Sequence, residues 1–499
     1  MHAHLPERDD AFPLPVAPGA FDPWQAFNAG CDVLAASHAD ADSIARRAAW
    51  RLRELLEAAC DAPLHAARLR AAAGGATGDP GRSRIAARRA AAVPLEAIEP
   101  IGRAEAMARF DEACTDPRIT LDDLRAFLAD PRQLGAAYLG RYAVWTSSGT
   151  TGSPAVWIHD ARALAVYDAL ESLRMCGLDR PGAGAAMIED WVRAPLSGGP
   201  RFAMVGATGG HFAGNASVER QRRLWPWAAA GVRTFSILRP MPELRASLEA
   251  FDPTVVATYP TAAEVLAAER AAGRLSIRPR EIWLGGEQVS DGARRTIAEA
   301  FGCRVRQGYG ASECLSIGWE CAHGTLHLNA DWVILEPVDR ALRPVPPGTP
   351  SHTVLLTNLA NHVQPVIRYD LGDSVTLLPS RCACGSAMPA LRVEGRRDDV
   401  LAFDGDAGPV RLLPLALATV MEEDADTFDF QLVGRDARTL ALRLPRGAGR
   451  TAHRAACHRA LRAYLDANGL RAVSIVDDDL EPVRDRNSGK LRRVLHDAR

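Results

Sequence analysis

Every basic residue in the chain is an arginine except one, Lys490, which stands in Asn487-Ser488-Gly489-Lys490-Leu491. A compact ammonium on a glycine turn can reach two neighbouring oxyanions at once, a task to which a planar guanidinium is poorly suited. Far upstream, Ser147-Ser148-Gly149-Thr150-Thr151-Gly152-Ser153-Pro154 places five hydroxyls and two glycines in eight residues. Glycine lets backbone N–H groups approach phosphate oxygens and hydroxyls add further donors, so this loop suits polyphosphate. No Gly-Lys-Ser/Thr ends it, which excludes a Walker A loop. Taken alone it also reads as an ordinary Ser/Gly turn.

Three further stretches extend the chemistry. Gly285-Gly286-Glu287 follows a predicted strand, where bare backbone can lie against a flat ring. Tyr309-Gly310-Ala311-Ser312-Glu313 follows the next strand, and a carboxylate facing polyphosphate needs a cation such as Mg²⁺ between them. Tyr369-Asp370-Leu371-Gly372-Asp373 ends in a second candidate carboxylate. Cys321 and His327, with Cys382 and Cys384 about sixty residues on, supply the four soft or borderline donors of a closed zinc tetrahedron. His323 is an alternative to His327.

These stretches, in this order, resemble the adenylate-forming superfamily, which includes acyl- and aryl-CoA ligases. The resemblance runs from residue 142 to residue 493. It implies that Ser147, Ser148, Gly149, Thr150, Thr151 and Gly152 cradle phosphate and that Gly285, Gly286, Glu287, Tyr309, Gly310 and Ser312 surround adenine and phosphate. Glu313 would hold Mg²⁺. Asp373 would accept from the ribose hydroxyls, with Arg396 nearby and Asp398 as the hinge of a mobile domain. Lys490 would be the catalytic lysine of that domain. Many members carry lysine after the loop's proline, whereas Ala155 stands here; this departure is similar to the phenylacetate–CoA ligase branch. That branch also carries Glu-Cys, Leu-His and Cys-x-Cys-Gly, matched by Glu320-Cys321, Leu326-His327 and Cys382–Gly385.

The implied reaction joins a carboxylic acid to AMP from ATP, with release of pyrophosphate, and then transfers the acyl group to coenzyme A. Leu401–Pro409 departs from the branch's glycine-rich strand and turn, which leaves a carrier protein or an amine as alternative acceptors. A catalytically silent nucleotide-binding protein is the alternative of another class. Tyr259, Pro260 and His211 are candidates for the acid pocket, and they suit a flat aromatic acid.

The elements that must position these residues can also be read. Apolar residues at three- and four-residue spacing predict helices over 41–59 and 121–129, in a helical lead-in that extends to residue 140. Short β-type runs at 142–146, 254–259, 281–284 and 303–307 alternate with helical patterns, implying largely parallel sheet. The runs at 353–357 and 373–378 look antiparallel. A break near 395–399 predicts a large α/β domain of mixed sheets flanked by helices, 1–395, and a small mobile α/β domain, 396–499.

Composition narrows the partners. A length of 499 residues exceeds what one core usually supports, and a net charge of −2 gives no bulk attraction to nucleic acid or anionic membrane. The N-terminus lacks a signal-peptide layout and no apolar run is long enough to span a bilayer, so a cytoplasmic protein with reduced cysteines is expected.

Overall fold

The computed structural model describes the chain except residues 1–20, 75–92, 148–154, 176, 178–199, 207, 209, 238, 397–398, 407, 413, 447–449, 485–490 and 498–499. Strands are numbered in chain order and helices are given by range. The predicted helices are found at Ala41–Ala59 and Leu121–Ala129, the first capped by Asp40 accepting from the Ser43 N–H and the second by Thr120 accepting from the Asp123 N–H.

The lead-in helices are pinned to the rest of the chain by a buried charge cluster. Arg174 donates through Nη1 and Nη2 to the Asp331 carboxylate at 2.8 and 2.9 Å, through Nη1 to Asn329 at 2.8 Å, and through Nε to Ser37 at 3.0 Å. Arg51 lies flat over Trp332 at 3.6 Å and bonds both Asp32 and the Asp331 carbonyl. A bidentate pair with no exposure survives only because nearly every donor has a partner.

Nine strands form the main sheet. β3 (Phe202–Gly206), β4 (Val232–Ser236), β5 (Val255–Thr258), β6 (Glu281–Leu284) and β7 (Arg304–Ala311) are mutually parallel. Helices Met241–Phe251, Pro260–Ala271 and Asp291–Phe301 make the crossovers between them, as parallel pairing requires. From β7 onward the sheet turns antiparallel through β8 (Cys314–Glu320), β9 (Leu326–Leu328), β13 (Asp373–Leu377) and β14 (Ala390–Arg396). β7 and β8 approach so closely that a Cβ on Gly310 would sit 1.9 Å from the Leu315 carbonyl oxygen, so only glycine fits. A separate antiparallel sheet joins β10 (Val333–Val338), β11 (Thr353–Asn358) and β12 (Val366–Asp370). The mixed pairing bears out the predicted mixed α/β class: parallel pairing runs over 202–307 in the main sheet and recurs between Leu432–Gly434 and Val494–His496 and between Thr439–Leu442 and Ser474–Asp477.

β1 (Ala143–Thr146) and β2 (Val156–His159) pair antiparallel, with Ala143 opposite His159 and Thr146 opposite Val156. Past residue 396, β15 (Leu401–Gly405) pairs with β16 (Gly408–Leu412). A four-stranded sheet of β17 (Gln431–Asp436), β18 (Thr439–Arg443), β19 (Ser474–Asp477) and β20 (Val494–His496) packs against helix Arg450–Ala467. These residues share a core of their own that includes Phe403, Phe430, Leu461 and Leu465. No helix among the described residues is long and apolar enough to cross a membrane.

Candidate functional site

One cavity of about 960 Å³ opens at the C-terminal ends of the parallel strands. Open α/β sheets present ligands at this edge because strand ends and helix starts leave backbone donors there. Ser147, Gly285, Gly286, Glu287, Tyr309, Gly310, Ser312, Glu313, Asp373 and Arg396 all line it, joined by Tyr259 and by Leu491, the residue after Lys490. Ser148, Gly149, Thr150, Thr151, Gly152, Asp398 and Lys490 lie outside the described residues.

Ser147 and Ala155, on either side of residues 148–154, are joined by two bonds. The Ser147 N–H donates to the Ala155 carbonyl at 2.8 Å, and the Ala155 N–H donates to Ser147 Oγ at 3.1 Å. The β1–β2 pair is then tied to the turn that carries Ser312 and Glu313. Trp145 on β1 and His159 on β2 stack at 4.1 Å, and both donate to the Ser312 carbonyl, at 2.8 Å from the indole N–H and 3.2 Å from Nε2. A carbonyl accepts only, so Nε2 carries the proton and Nδ1 accepts from the Tyr167 hydroxyl at 3.3 Å. Asn358 Nδ2 donates to Tyr167 Oη at 2.7 Å and to the Glu313 carbonyl at 2.9 Å. Burial holds His159 neutral by pushing its pKa down to about 3. Nothing in the sequence singled out Trp145 or His159, because neither belongs to a polar motif.

Across the cavity, the Tyr309 hydroxyl donates to Asp373 Oδ2 at 2.9 Å and Arg396 Nη1 donates to Oδ1 at 3.2 Å. Residues 309, 373 and 396 thus meet at one point, on β7, β13 and β14. Burial raises the pKa of Asp373 and of Glu313, the latter with Tyr369 beside it. Glu287 accepts from both the N–H and the hydroxyl of Thr261, at 3.1 and 2.8 Å, at the start of helix Pro260–Ala271.

Two of the pocket candidates are placed elsewhere. Pro260 is buried at the first turn of that helix, where its missing N–H costs nothing. His211 packs at 6.0 Å from Phe127, and its neighbours Phe212 and Ala213 line the cavity instead.

The C-terminal segment reaches the same cavity. Arg493 is buried between Glu264 and Glu422, and Ser290 donates to Glu422. Burial and the second carboxylate push Glu264 up to about 8, although Arg493 pulls the other way. Arg492 bonds Asp399.

Behind β8 and β9, donor atoms of Cys321, His327, Cys382 and Cys384 lie within 4.8 Å of one another. The Cys321 and Cys382 sulfurs are 3.7 Å apart, and Cys384 Sγ is 3.4 Å from His327 Nε2. A tetrahedral ion with bonds of about 2.3 Å to sulfur spaces two sulfurs about 3.8 Å apart, so the edges fit. His327 Nδ1–H donates to the Met388 carbonyl at 2.9 Å, leaving the Nε2 lone pair facing the thiols. N–H groups of His323, Cys384 and Ser386 point at Cys321, Cys382 and Cys384 sulfurs at 3.4, 3.5 and 3.4 Å. His323 contributes its backbone here, and the cluster takes its imidazole from His327.

No curated protein matches the sequence. Residues 218–350 match the family model described as AMP-binding enzyme. Among solved structures, 2-hydroxyisobutyryl-CoA ligase in the postadenylation state with R3-HIB-AMP is similar at 17% identity and a TM-score of 0.63, over 98% of this chain and 96% of that one. The same ligase with 2-HIB-AMP gives 18% and 0.60, over 90% and 88%. In the thioesterification state, with 2-HIB-AMP and CoA, it gives 18% and 0.51, over 92% and 91%. The chain therefore has the fold of that CoA ligase, and its residues 218–350 match the AMP-binding enzyme model.

Proposed function

We propose that the protein is an ATP-dependent carboxylate ligase, which converts an acid to its acyl-AMP with release of pyrophosphate and then passes the acyl group to coenzyme A. The observation that carries this reading is convergence. Ser147, Glu313, the Tyr309–Asp373–Arg396 cluster and Leu491 are spread along the chain from residue 147 to residue 491, yet they line one cavity.

In the first half-reaction a carboxylate oxygen attacks the α-phosphorus of ATP, and the bond to the β-phosphate oxygen breaks with its electron pair leaving on pyrophosphate. Lys490 is assigned to the charge that builds on the acyl and phosphate oxygens, which a fixed ammonium stabilises most as the new bond forms. Asp373, held by Tyr309 and Arg396, is assigned to the ribose hydroxyls. Glu313 fits a Mg²⁺ ion, since it is a buried carboxylate on the cavity wall whose pKa burial raises in spite of Arg396. Such an ion supplies neutralisation of the polyphosphate. In the second half-reaction the thiol sulfur of coenzyme A attacks the acyl carbon and AMP leaves, after the small domain turns about Asp398 and withdraws the lysine.

Zn²⁺ fits the Cys321, His327, Cys382 and Cys384 set. All four positions of a tetrahedron are filled by protein, so the ion would be structural, tying β8 and β9 to the 382–388 turn. The same ligand set and Ala155 favour the phenylacetate–CoA ligase-like branch.

The deciding experiment is pyrophosphate release across a panel of acids, with and without coenzyme A, for wild type and Lys490→Ala. The variant should still bind ATP while forming no acyl-AMP; wild-type rates in the variant would remove the assigned role. A thioester product with coenzyme A separates that acceptor from a carrier protein or an amine.

A further inference from the structure

The cavity is larger than a nucleotide needs, and its far end is polar in a way the adenylation chemistry does not use. Helix Ala213–Leu224 runs along one wall. Its first turn sits beside the end of β1, where the Thr146 N–H bonds the His211 carbonyl at 2.8 Å. Arg220 and Gln221 come two turns later, about 10 Å along the axis at about 1.5 Å per residue. There they meet Asp168. Arg220 Nη2 donates to Asp168 Oδ1 at 2.6 Å and Gln221 Nε2 donates to the same oxygen at 3.2 Å. Both residues line the cavity, as do Asp168 and Glu171.

Glu171 differs from its neighbours. It lies on the π-helical turn Leu170–Met175, a local widening that often marks functional sites. Its side chain is exposed where it lines the cavity, and its carboxylate accepts no hydrogen bond and joins no ion pair among the described residues. Desolvation by the cavity wall and the neighbouring Asp168 push it up to about 7, with Arg220 pulling the other way. The remaining nitrogens of Arg220, Nε and Nη1, also lack partners but are sealed away from accessible space. The polar end therefore offers two carboxylates to a ligand and one guanidinium that is already engaged. The cavity walls also include Met204, Phe212 and Trp283, which are apolar.

We propose that the acid activated at this site carries a hydrogen-bond-donating group, an amino or a hydroxyl, at the end away from its carboxylate, and that Glu171 and Asp168 receive it. This rests on the adenylation reading for the position of the carboxylate, at the phosphate-loop end. The 10 Å span suits a ring acid with a terminal substituent better than a long chain. A second carboxylate at that end would face Glu171 and Asp168 and be repelled.

The test uses full-length protein and matched acids: benzoate and phenylacetate, each with hydrogen, amino, hydroxyl or carboxyl at the ortho, meta and para positions. Binding is measured by titration calorimetry and turnover by pyrophosphate release, for wild type, Glu171→Gln and Glu171→Leu. In wild type at least one amino or hydroxy acid should bind roughly 10–100-fold more tightly than its unsubstituted parent, the range of a hydrogen bond to a charged group. Glu171→Leu should erase or invert that ratio. Glu171→Gln, which keeps the shape and an acceptor oxygen, should reduce it and serves if the leucine variant does not fold. Unsubstituted or carboxyl-bearing acids binding as tightly as the donor-bearing ones in wild type would overturn the proposal, as would a ratio unchanged in both variants. Binding needs no chemistry. Acids that bind with the expected preference but release no pyrophosphate would defeat the adenylation reading and leave the polar end of the pocket standing.

Discussion

Lowering the pH should loosen the tether between the β1–β2 pair and the Ser312–Glu313 turn, through one histidine. His159 is fully enclosed and its pKa is pushed from 6.5 down to about 3. Its folded form therefore binds fewer protons than its unfolded form between those values, and stability falls as pH falls through that window. The full linkage over the shift is about 5 kcal/mol at about 1.4 kcal/mol per unit. Most of that is reached only near pH 3; between pH 7 and pH 5 the same histidine contributes a loss of about 2 kcal/mol. Protonation at Nδ1 would also remove the acceptor that the Tyr167 hydroxyl uses at 3.3 Å. His159→Gln supplies the control. It keeps an amide N–H within reach of the Ser312 carbonyl and removes the titration. Urea unfolding of the large-domain transition at pH 7 and pH 5 should show wild type losing about 2 kcal/mol more than the variant. His65 and His362 are likewise pushed down to about 3, but they are present in both proteins and drop out of the difference. Equal losses in the two proteins would refute the assignment of a buried neutral imidazole at 159.

Other outcomes follow from the same contacts. One zinc per chain should be found by elemental analysis and lost in the Cys382→Ser/Cys384→Ser double variant, with a lower Tm because metal binding adds to folding free energy; metal-free wild type would remove the ion. Asp331→Ala leaves Arg174 buried without its bidentate partner and should cost about 3–5 kcal/mol, read as urea unfolding; a loss under about 1 kcal/mol would mean that solvent reaches the pair. Asp398→Pro fixes one backbone angle of the proposed hinge, so single-turnover pyrophosphate release and thioester formation should respond unequally; equal effects on both steps would count against domain rotation.

Most of the nucleotide side of the cavity was legible in the sequence because its demands are local. A hydroxyl-rich loop, a glycine where β7 and β8 touch, and a carboxylate after a strand each need particular residues at fixed spacing. The parallel strands at 255–258, 281–284 and 304–311 showed themselves as short apolar runs between helical patterns. The four-donor cluster was also marked by residue type. Spacing alone left two histidines open, and the pairing of β8, β9 and β14 brings His327 to the three sulfurs.

What only the tertiary structure decided depends on residues with no local signature. Trp145 and His159 look like ordinary apolar-strand residues, and they acquire a task only when the β1–β2 pairing places both over the Ser312 carbonyl. His211 was a candidate by its neighbourhood in sequence, yet Phe212 and Ala213 take the wall. Asp168 and Glu171 are three apart on a helical stretch, the spacing of any solvated face. Their meaning comes from helix Ala213–Leu224 packing opposite, which encloses one carboxylate beside Arg220 and leaves the other open to the cavity. The sequence alone thus marked the residues proposed for phosphate, ribose and metal, where a few backbone positions dictate residue type. The cavity end lined by Asp168 and Glu171 was decided by packing, because the charges that meet there come from elements distant along the chain.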